Sequence, residues 1–287
     1  MTDPAHFEVR YAINPWMRPQ DWAHKHRRAA LRAWHELKQA VETAGAHVTV
    51  IDAAPEWPDM VFAANLAVVF DGRCVPARFR HPERQGEEAH FRAALASLTS
   101  RGLVDEIVSL PPGLVQEGAG DFIWDGSRQI FWAGYGPRSN KAAALWMGHA
   151  FDAEVVPLEL ATPRFYHLDT CFCSLSGGEV LYYPPAFTEA SLHAIRERVA
   201  PAALIAADAE AAAGFCVNAV NLGGTIVMAK APTGLRTELA GFGYRVVEVD
   251  LAPYILSGGA AFCLTLRLDN APARVAVPAV ALQGASP

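Results

Sequence analysis

EGAGDFIWDGSRQIFWAGY, residues 117–135, reads as two apolar strands joined at Asp125-Gly126. Such a dipeptide supplies the positive φ angles that a short hairpin loop needs. Outward from it the pattern recurs: Asp71-Gly72 follows LAVVF, Gly177-Gly178 follows CFCSLS and Gly223-Gly224 follows NAVNL. Counted from residues 71, 125, 177 and 223, the turns are 54, 52 and 46 residues apart. After each turn comes a second strand, CVPARF, QIFWAGY, VLYYP or TIVMA. A helical stretch follows, near 85–100, 139–151, 187–200 and 232–242, and then a short strand at 104–110, 154–158, 203–207 and 245–250. In the third helix Leu192, Ile195 and Val199 make the i, i+3, i+7 stripe of a core-facing surface.

A fifth helix and strand stand at the front. Residues 20–44 carry Leu31, Trp34, Leu37 and Val41 near one face, and HVTVI at 47–51 is the strand. This unit lacks a turn of its own. The closing run AAFCLTLRL, residues 260–268, is expected to complete it by pairing with FEVRYAI, residues 7–13. Repeats of about fifty residues point to arrays and propellers. The expectation is an α/β fold: a five-bladed α/β propeller of ββαβ units with pseudo-fivefold symmetry, its ring closed by the C-terminal strand. An ordinary α/β sheet with coincidental turn spacing is the alternative. Residues 1–270 are taken as a single domain and the Ala- and Pro-rich residues 271–287 as a tail.

At 287 residues, 52% hydrophobic and 19% charged, the chain has ample apolar material for a core. A net charge of −6 and the lack of any Lys/Arg block argue against nucleic acid or an anionic membrane as partner. No basic stretch leads into an apolar run at the N-terminus, and no apolar window approaches the ~18 residues of a membrane span. The five cysteines (Cys74, Cys171, Cys173, Cys216, Cys263) lack disulfide-rich spacing and read as reduced thiols of a cytoplasmic protein.

In a ring, the first strand of each unit brings side chains to a common centre. Upstream of successive turns stand Asp59 and Asn65, Glu117 and Asp121, His167 and Asp169, and Asn218, with Cys263 on the closing strand. A thiol attacks as thiolate and needs a neighbouring cation. Gly258 and Gly259, just upstream of Cys263, allow close backbone approach to a ligand. Taken alone, Cys263 reads more readily as an inert buried cysteine. Strand alternation puts His167 and Asp169 on one face, where the acid orients a proton-moving imidazole or merely satisfies a core one. Glu117 and Asp121 flank a glycine-rich turn and suit the planar N–H fork of a guanidinium. Asn65 can donate and accept. Arg78 and Arg138 are candidate grips for a substrate carboxylate. HLDTCFC, residues 167–173, offers a rival zinc site through Cys171 and Cys173. A straight strand spreads that run over roughly 20 Å, too far for one ion. No metal and no cofactor is expected, and GxSxG, Walker, HExxH and GxGxxG motifs are absent.

Taken in order, these residues resemble the guanidino-group-modifying enzymes. That amidinotransferase superfamily includes arginine deiminase, dimethylarginine dimethylaminohydrolase, arginine dihydrolase and the amidinotransferases. INPWM (13–17), PDMVFAANLAVV (58–69), EGAGDFIW (117–124), FYHLDTCF (165–172), NAVNLGG (218–224) and SGGAAFCLTLRL (257–268) carry the resemblance, nearest to the arginine dihydrolase branch. It implies a five-bladed α/β propeller, in agreement with the turns. It implies Cys263 as nucleophile, His167 as general acid/base and Glu117 as the carboxylate that polarises the guanidinium. Asp59, Asn65, Asp121, Asp169 and Asn218 would bind substrate, with Arg78 and Arg138 on its carboxylate. Two departures stand out. Ala64 and Asn65 replace the acids of the PDxxFxED-like run of dimethylarginine hydrolases. EGAGD is one residue longer between its acids than EGGD, so Glu117 and Asp121 both stay open as the catalytic carboxylate.

The implied reaction is hydrolysis of a small guanidino compound through a covalent S-alkylthiouronium. One round on arginine gives citrulline and ammonia; a further round gives ornithine, carbon dioxide and a second ammonia. Dimethylarginine hydrolysis, amidino transfer and a non-catalytic arginine-binding ring are the alternatives. A homo-oligomer is left open.

Overall fold

In the computed structural model, which describes residues 1–273, helix α1 (His24–Thr43) comes first and four sheets of one pattern follow. From residue 274 on, the expected tail lies outside the described residues. The first unit is β1 (Ala67–Phe70), β2 (Arg73–Pro76), helices α2 (Pro82–Gln85) and α3 (Glu87–Ser100), and β3 (Glu106–Ile107). The second is β4 (Phe122–Asp125), β5 (Ile130–Tyr135), α4 (Lys141–Phe151) and β6 (Glu154–Glu159). The third is β7 (Phe172–Ser174), β8 (Val180–Tyr182), α5 (Glu189–Arg198) and β9 (Leu204–Ala206). After α6 (Ala209–Ala213) the fourth is β10 (Val220–Leu222), β11 (Thr225–Ala229), α7 (Thr233–Gly241) and β12 (Arg245–Val249), and α8 (Ala252–Ile255) follows.

In every sheet the first two strands are antiparallel, and the third joins the second in parallel with a helix as crossover. In the second unit Ile123 faces Trp132, and Trp132 faces Val156. Asp71 and Gly72, at φ 48° and 74°, turn the first hairpin as an Asp-Gly pair should. The second hairpin is looser: its strands end at Asp125 and Ile130, and the left-handed residue is Gln129 (φ 58°) rather than Gly126. The Asp125 carboxylate holds that loop by accepting from the backbone N–H groups of Ser127 and Arg128.

Hydrophobic clusters fill five seams. Val68 and Phe131 lie between the first and second units. Trp132 and Phe172, ring centroids 5.2 Å apart, join the second to the third. Leu181 and Met228 join the third to the fourth. Val227 and Val249 meet Trp34 and Leu37 of α1, linking the fourth to the fifth. Ile51 and Leu266 meet Val69 and Leu95, which closes the circuit on the first. Each fully buried side chain such as Leu37 contributes about 2 kcal/mol. A cavity of about 80 Å³ is lined by residues of all five units, among them Val68, Ile123, Ser174, Asn221 and Thr265.

The fifth unit departs from expectation. Residues 7–13 and 260–268 do not pair as strands, and 47–51 makes only a parallel bridge from Ile51 to Thr2. The first residues take the second-strand place: Ile51 N–H donates to Met1 O at 3.0 Å and Asp3 N–H to Ile51 O at 2.9 Å. Residues 260–265 wind into a helical turn, with Leu264 N–H donating to Ala260 O at 3.2 Å and Thr265 N–H to Phe262 O at 2.9 Å. Packing explains the change. A Cβ at Gly259 would lie 2.3 Å from Phe62 Cε1, so only this run of Gly and Ala passes beneath that ring. Phe7 is drawn away from pairing to stack on Tyr254, centroids 4.6 Å apart. Among the described residues no helix is long and apolar enough to cross a membrane.

Candidate active site

The polar residues expected on the first strands sit instead on tight 3-10 turns just before them. Ala63–Asn65 precedes β1, Gly118–Asp121 precedes β4 and Leu168–Thr170 precedes β7. Glu117 and His167 are the residues that enter the second and third of these turns. The turn shortens the chain so that successive polar groups converge, which a straight strand would spread along its length.

Cys263 is at the centre. Its thiol donates to Asp169 Oδ2 at 3.1 Å. Asn218 clamps it: Nδ2 donates to Sγ at 3.1 Å, and Oδ1 accepts from the Cys263 N–H at 3.2 Å. The same Nδ2 reaches Asp169 O at 3.0 Å. His167 Nε2 lies 2.9 Å from Glu117 Oε2, and Arg138 Nη1 donates to that oxygen at 2.8 Å. Gly120 ties the two halves together. A Cβ built on it would meet Asn65 Nδ2 at 2.9 Å, His167 Nδ1 at 3.3 Å and Asp169 Oδ2 at 3.4 Å. These three groups therefore surround one small space that only glycine leaves open. Asp169 Oδ1 is buried and has no hydrogen-bond partner among the described residues. Asp59 is held at one side by Tyr11 Oη (3.0 Å) and Ser257 Oγ (3.4 Å).

Burial sets the electrostatics. It pushes the Cys263 thiol well above its ordinary range, and the adjacent Asp169 charge pushes it further. Burial also raises Asp169 to about 6, against the pull of His167. Asp59 and Asp121 are raised for the same reason. Glu117 goes the other way: burial works to raise it, but the Arg138 guanidinium and the His167 hydrogen bond hold it well below the usual carboxylate range. An ionised Glu117 can only accept, so His167 Nε2 carries the proton and Nδ1 faces the space beside Gly120.

Asp121 is occupied otherwise. Its Oδ1 accepts from Leu168 N–H at 2.9 Å and its Oδ2 from Ser139 Oγ at 2.6 Å, while Ser139 Oγ accepts from Glu117 N–H at 3.0 Å. It stitches the backbone of the His167 turn to that of Glu117. Arg138 stays in the cluster, but on Glu117 and Ile13 O. Arg78 does not join it: the guanidinium caps the carbonyls of Leu110, Pro111 and Leu114, an open loop end whose buried acceptors need donors. Cys171 and Cys173 diverge into different hydrophobic clusters, because their peptide enters β7 from a turn rather than as a straight strand.

Some members of the site escaped the sequence. Arg84 is 3% exposed, with Nε and Nη2 on Glu87 at 2.9 and 2.7 Å and Nη1 on Asn65 Oδ1 at 2.8 Å. Its run, RHPERQGEE at 80–88, is so charged that it reads as solvated surface. The Arg84/Glu87 spacing of i, i+3 was the available signal. Tyr166, beside His167, donates to Gly258 O at 2.6 Å and lies under the Arg138 guanidinium at 4.7 Å.

Comparison with known proteins agrees with this geometry. The eukaryotic N,N-dimethylarginine dimethylhydrolase family matches residues 3–269. The bifunctional arginine dihydrolase/ornithine cyclodeaminase ArgZ of Synechocystis is 42% identical over 94% of this chain. This chain spans only 37% of that longer relative. The dimethylarginine dimethylaminohydrolase of Mycobacterium tuberculosis is 36% identical, over 93% of this chain and 84% of its own length. Among solved structures, a cysteine-to-serine mutant of the N-terminal domain of ArgZ, an arginine dihydrolase from cyanobacteria, bound to substrate, superposes with a TM-score of 0.89. It is 41% identical and the match covers 94% of this chain and 97% of that one. From these matches and the thiol, imidazole and carboxylates gathered at one axis, the chain belongs to the dimethylarginine dimethylaminohydrolase family of the guanidino-group-modifying superfamily.

Proposed function

We propose that residues 1–270 form one catalytic unit, a cytoplasmic cysteine-dependent hydrolase of the guanidinium group of arginine, acting as an arginine dihydrolase. The observation that carries this is the buried Asp169 carboxylate: Oδ2 takes the Cys263 thiol, and Oδ1 has no donor among the described residues. A buried acceptor without a partner costs stability, and a planar N–H donor placed beside the sulfur would satisfy it. The free cysteines agree with a reducing compartment.

In this reading the guanidinium settles on Asp169 above Cys263. Its charge offsets the burial that keeps the thiol protonated, so the thiol proton passes to His167 Nδ1 and the thiolate attacks the central carbon. His167, its Nε2 anchored on Glu117, protonates the departing nitrogen from Nδ1 and ammonia leaves. The S-alkylthiouronium is then attacked by water, deprotonated by His167; the C–S bond breaks, giving citrulline and the free thiol. A second round on the neutral ureido group gives ornithine, carbon dioxide and ammonia. Asn65 in place of an acid supports that second round, because it adds no negative charge against a neutral substrate.

A second reading is dimethylarginine hydrolysis to citrulline and dimethylamine, favoured by the family match and the mycobacterial relative. Incubation of purified protein with arginine, citrulline and dimethylarginine, with products identified by mass spectrometry, decides. Ornithine from arginine is expected. Citrulline as the sole end product would make the chain a deiminase, and dimethylamine release would establish the second reading.

A further inference from the structure

Asn218 is fully buried, and both N–H groups of its amide are taken. One goes to Asp169 O at 3.0 Å and the other to Cys263 Sγ at 3.1 Å. Oδ1 accepts from the Cys263 N–H at 3.2 Å. A carbonyl can only accept and a backbone N–H can only donate, so Asp169 O and Cys263 N alone fix which end of the amide is which. An N–H therefore points at the sulfur. The resemblance set Asn218 among the substrate-binding residues; its hydrogen bonds put it on the nucleophile instead.

The backbone holds that aim. Asn218 O accepts from Phe262 N–H at 3.3 Å, so main chain and side chain both grip the turn that carries Cys263. Asn218 N–H donates to Phe215 O at 3.2 Å. Phe215 stands at φ 57°, a left-handed conformation that bulky residues rarely adopt, and the Trp16 ring packs on it with centroids 4.7 Å apart. Around the sulfur the electrostatics divide. Burial and the Asp169 charge oppose the thiolate, whereas the Ala260 backbone and the Asn218 amide favour it.

We infer that Asn218 is a catalytic residue whose N–H stabilises the negative charge on sulfur when Cys263 leaves the covalent intermediate. The inference rests on the thiouronium reading of this site. In that half of the reaction water adds to the central carbon, and its proton goes to His167 and on to solvent. The C–S bond then breaks, its electron pair moving onto sulfur. The new hydroxyl becomes the ureido carbonyl and gives its proton to the thiolate. A thioether sulfur is a weak acceptor and a thiolate a strong one, so the Asn218 hydrogen bond tightens as the C–S bond stretches. During attack the sulfur gives up charge and the same bond weakens. The N–H therefore speeds release of the sulfur more than its attack.

The test follows arginine turnover by acid-quenched mass spectrometry of the intact protein, in wild type and Asn218→Ala. It reads the share of Cys263 that carries arginine less ammonia. The expected result is a rise of about ten- to hundredfold in the ratio of adduct to free enzyme, the factor that a hydrogen bond to a charged group supplies. A merely structural role would slow both halves of the reaction and leave the ratio alone. Should Asn218→Ala fold poorly, Asn218→Asp keeps the volume and an acceptor for the Cys263 N–H while removing the N–H toward sulfur, and the same accumulation is expected. An unchanged or lower ratio in either folded variant, with arginine still consumed, overturns the inference alone. Absence of any product from arginine and dimethylarginine in wild type overturns the hydrolase reading, and the inference with it.

Discussion

Asp169 serves Cys263 with one carboxylate oxygen, 3.1 Å from the sulfur, and leaves the other buried with no donor among the described residues. Burial raises this acid to about 6. Protonated, it can no longer hold a cation, so kcat/KM for arginine should fall as pH drops through about 6. Asp169→Asn should lose that inflection together with at least about a hundredfold of activity. The sign for stability is the reverse. The folded state binds this proton more tightly than the unfolded chain, so ionising Asp169 weakens the fold as pH rises from about 4 to about 6. Asp169→Asn should remove that part of the profile in a Tm-versus-pH series; an unchanged profile counts against the assignment.

The thiol itself should be protonated in the free protein. Burial and Asp169 both oppose the thiolate. The 240 nm difference between wild type and Cys263→Ser should therefore be near zero at pH 8 and appear when a guanidinium ligand binds. A full thiolate signal without ligand would contradict substrate-assisted ionisation. Cys263→Ser should retain binding and lose turnover by about a thousandfold or more.

Gly120→Ala fills the space between three polar groups, since the new methyl would lie 2.9 Å from Asn65 Nδ2 and 3.3 Å from His167 Nδ1. Displacements well under 1 Å at a reacting centre are costly, and about a hundredfold loss of kcat/KM is expected. The buried neighbours must shift to admit the methyl, so unfolding should also show a loss of about 1–3 kcal/mol. Near-normal kinetics would show that substrate does not use this space.

Asp121 acts through backbone. Asp121→Ala leaves the buried Leu168 N–H and Ser139 hydroxyl unpaired, and should cost about 2–4 kcal/mol in denaturant unfolding. Ser139→Ala, which frees only the Glu117 N–H and one Asp121 oxygen, should cost about 1–2 kcal/mol. A loss of activity in Asp121→Asn as large as in Glu117→Gln, with stability intact, would reverse the division of labour between these two acids.

The repeat was legible because hairpin chemistry is local. Asp71-Gly72 turns where its φ preferences say it must, and the four helices lie within a few residues of their expected limits. The fifth unit was not legible. Whether 260–268 is strand or turn depends on Phe62, about two hundred residues away, pressing on Gly259. The polar residues could be named from their order, but not their division of labour. Arg78 is committed to backbone carbonyls, and Asp121 to the Leu168 N–H and the Ser139 hydroxyl, partners that no strand pattern reveals. Arg84 was hidden because a buried ion pair and a solvated one have the same spelling.

The fifth unit is assembled from segments far apart in sequence, Met1–Asp3 beside Ile51 and residues 260–268. During synthesis every carboxylate and the imidazole leave the ribosome before the sulfur does. A nascent chain that has folded four of its sheets still lacks its reactive atom, and a product that stops before residue 263 is chemically silent.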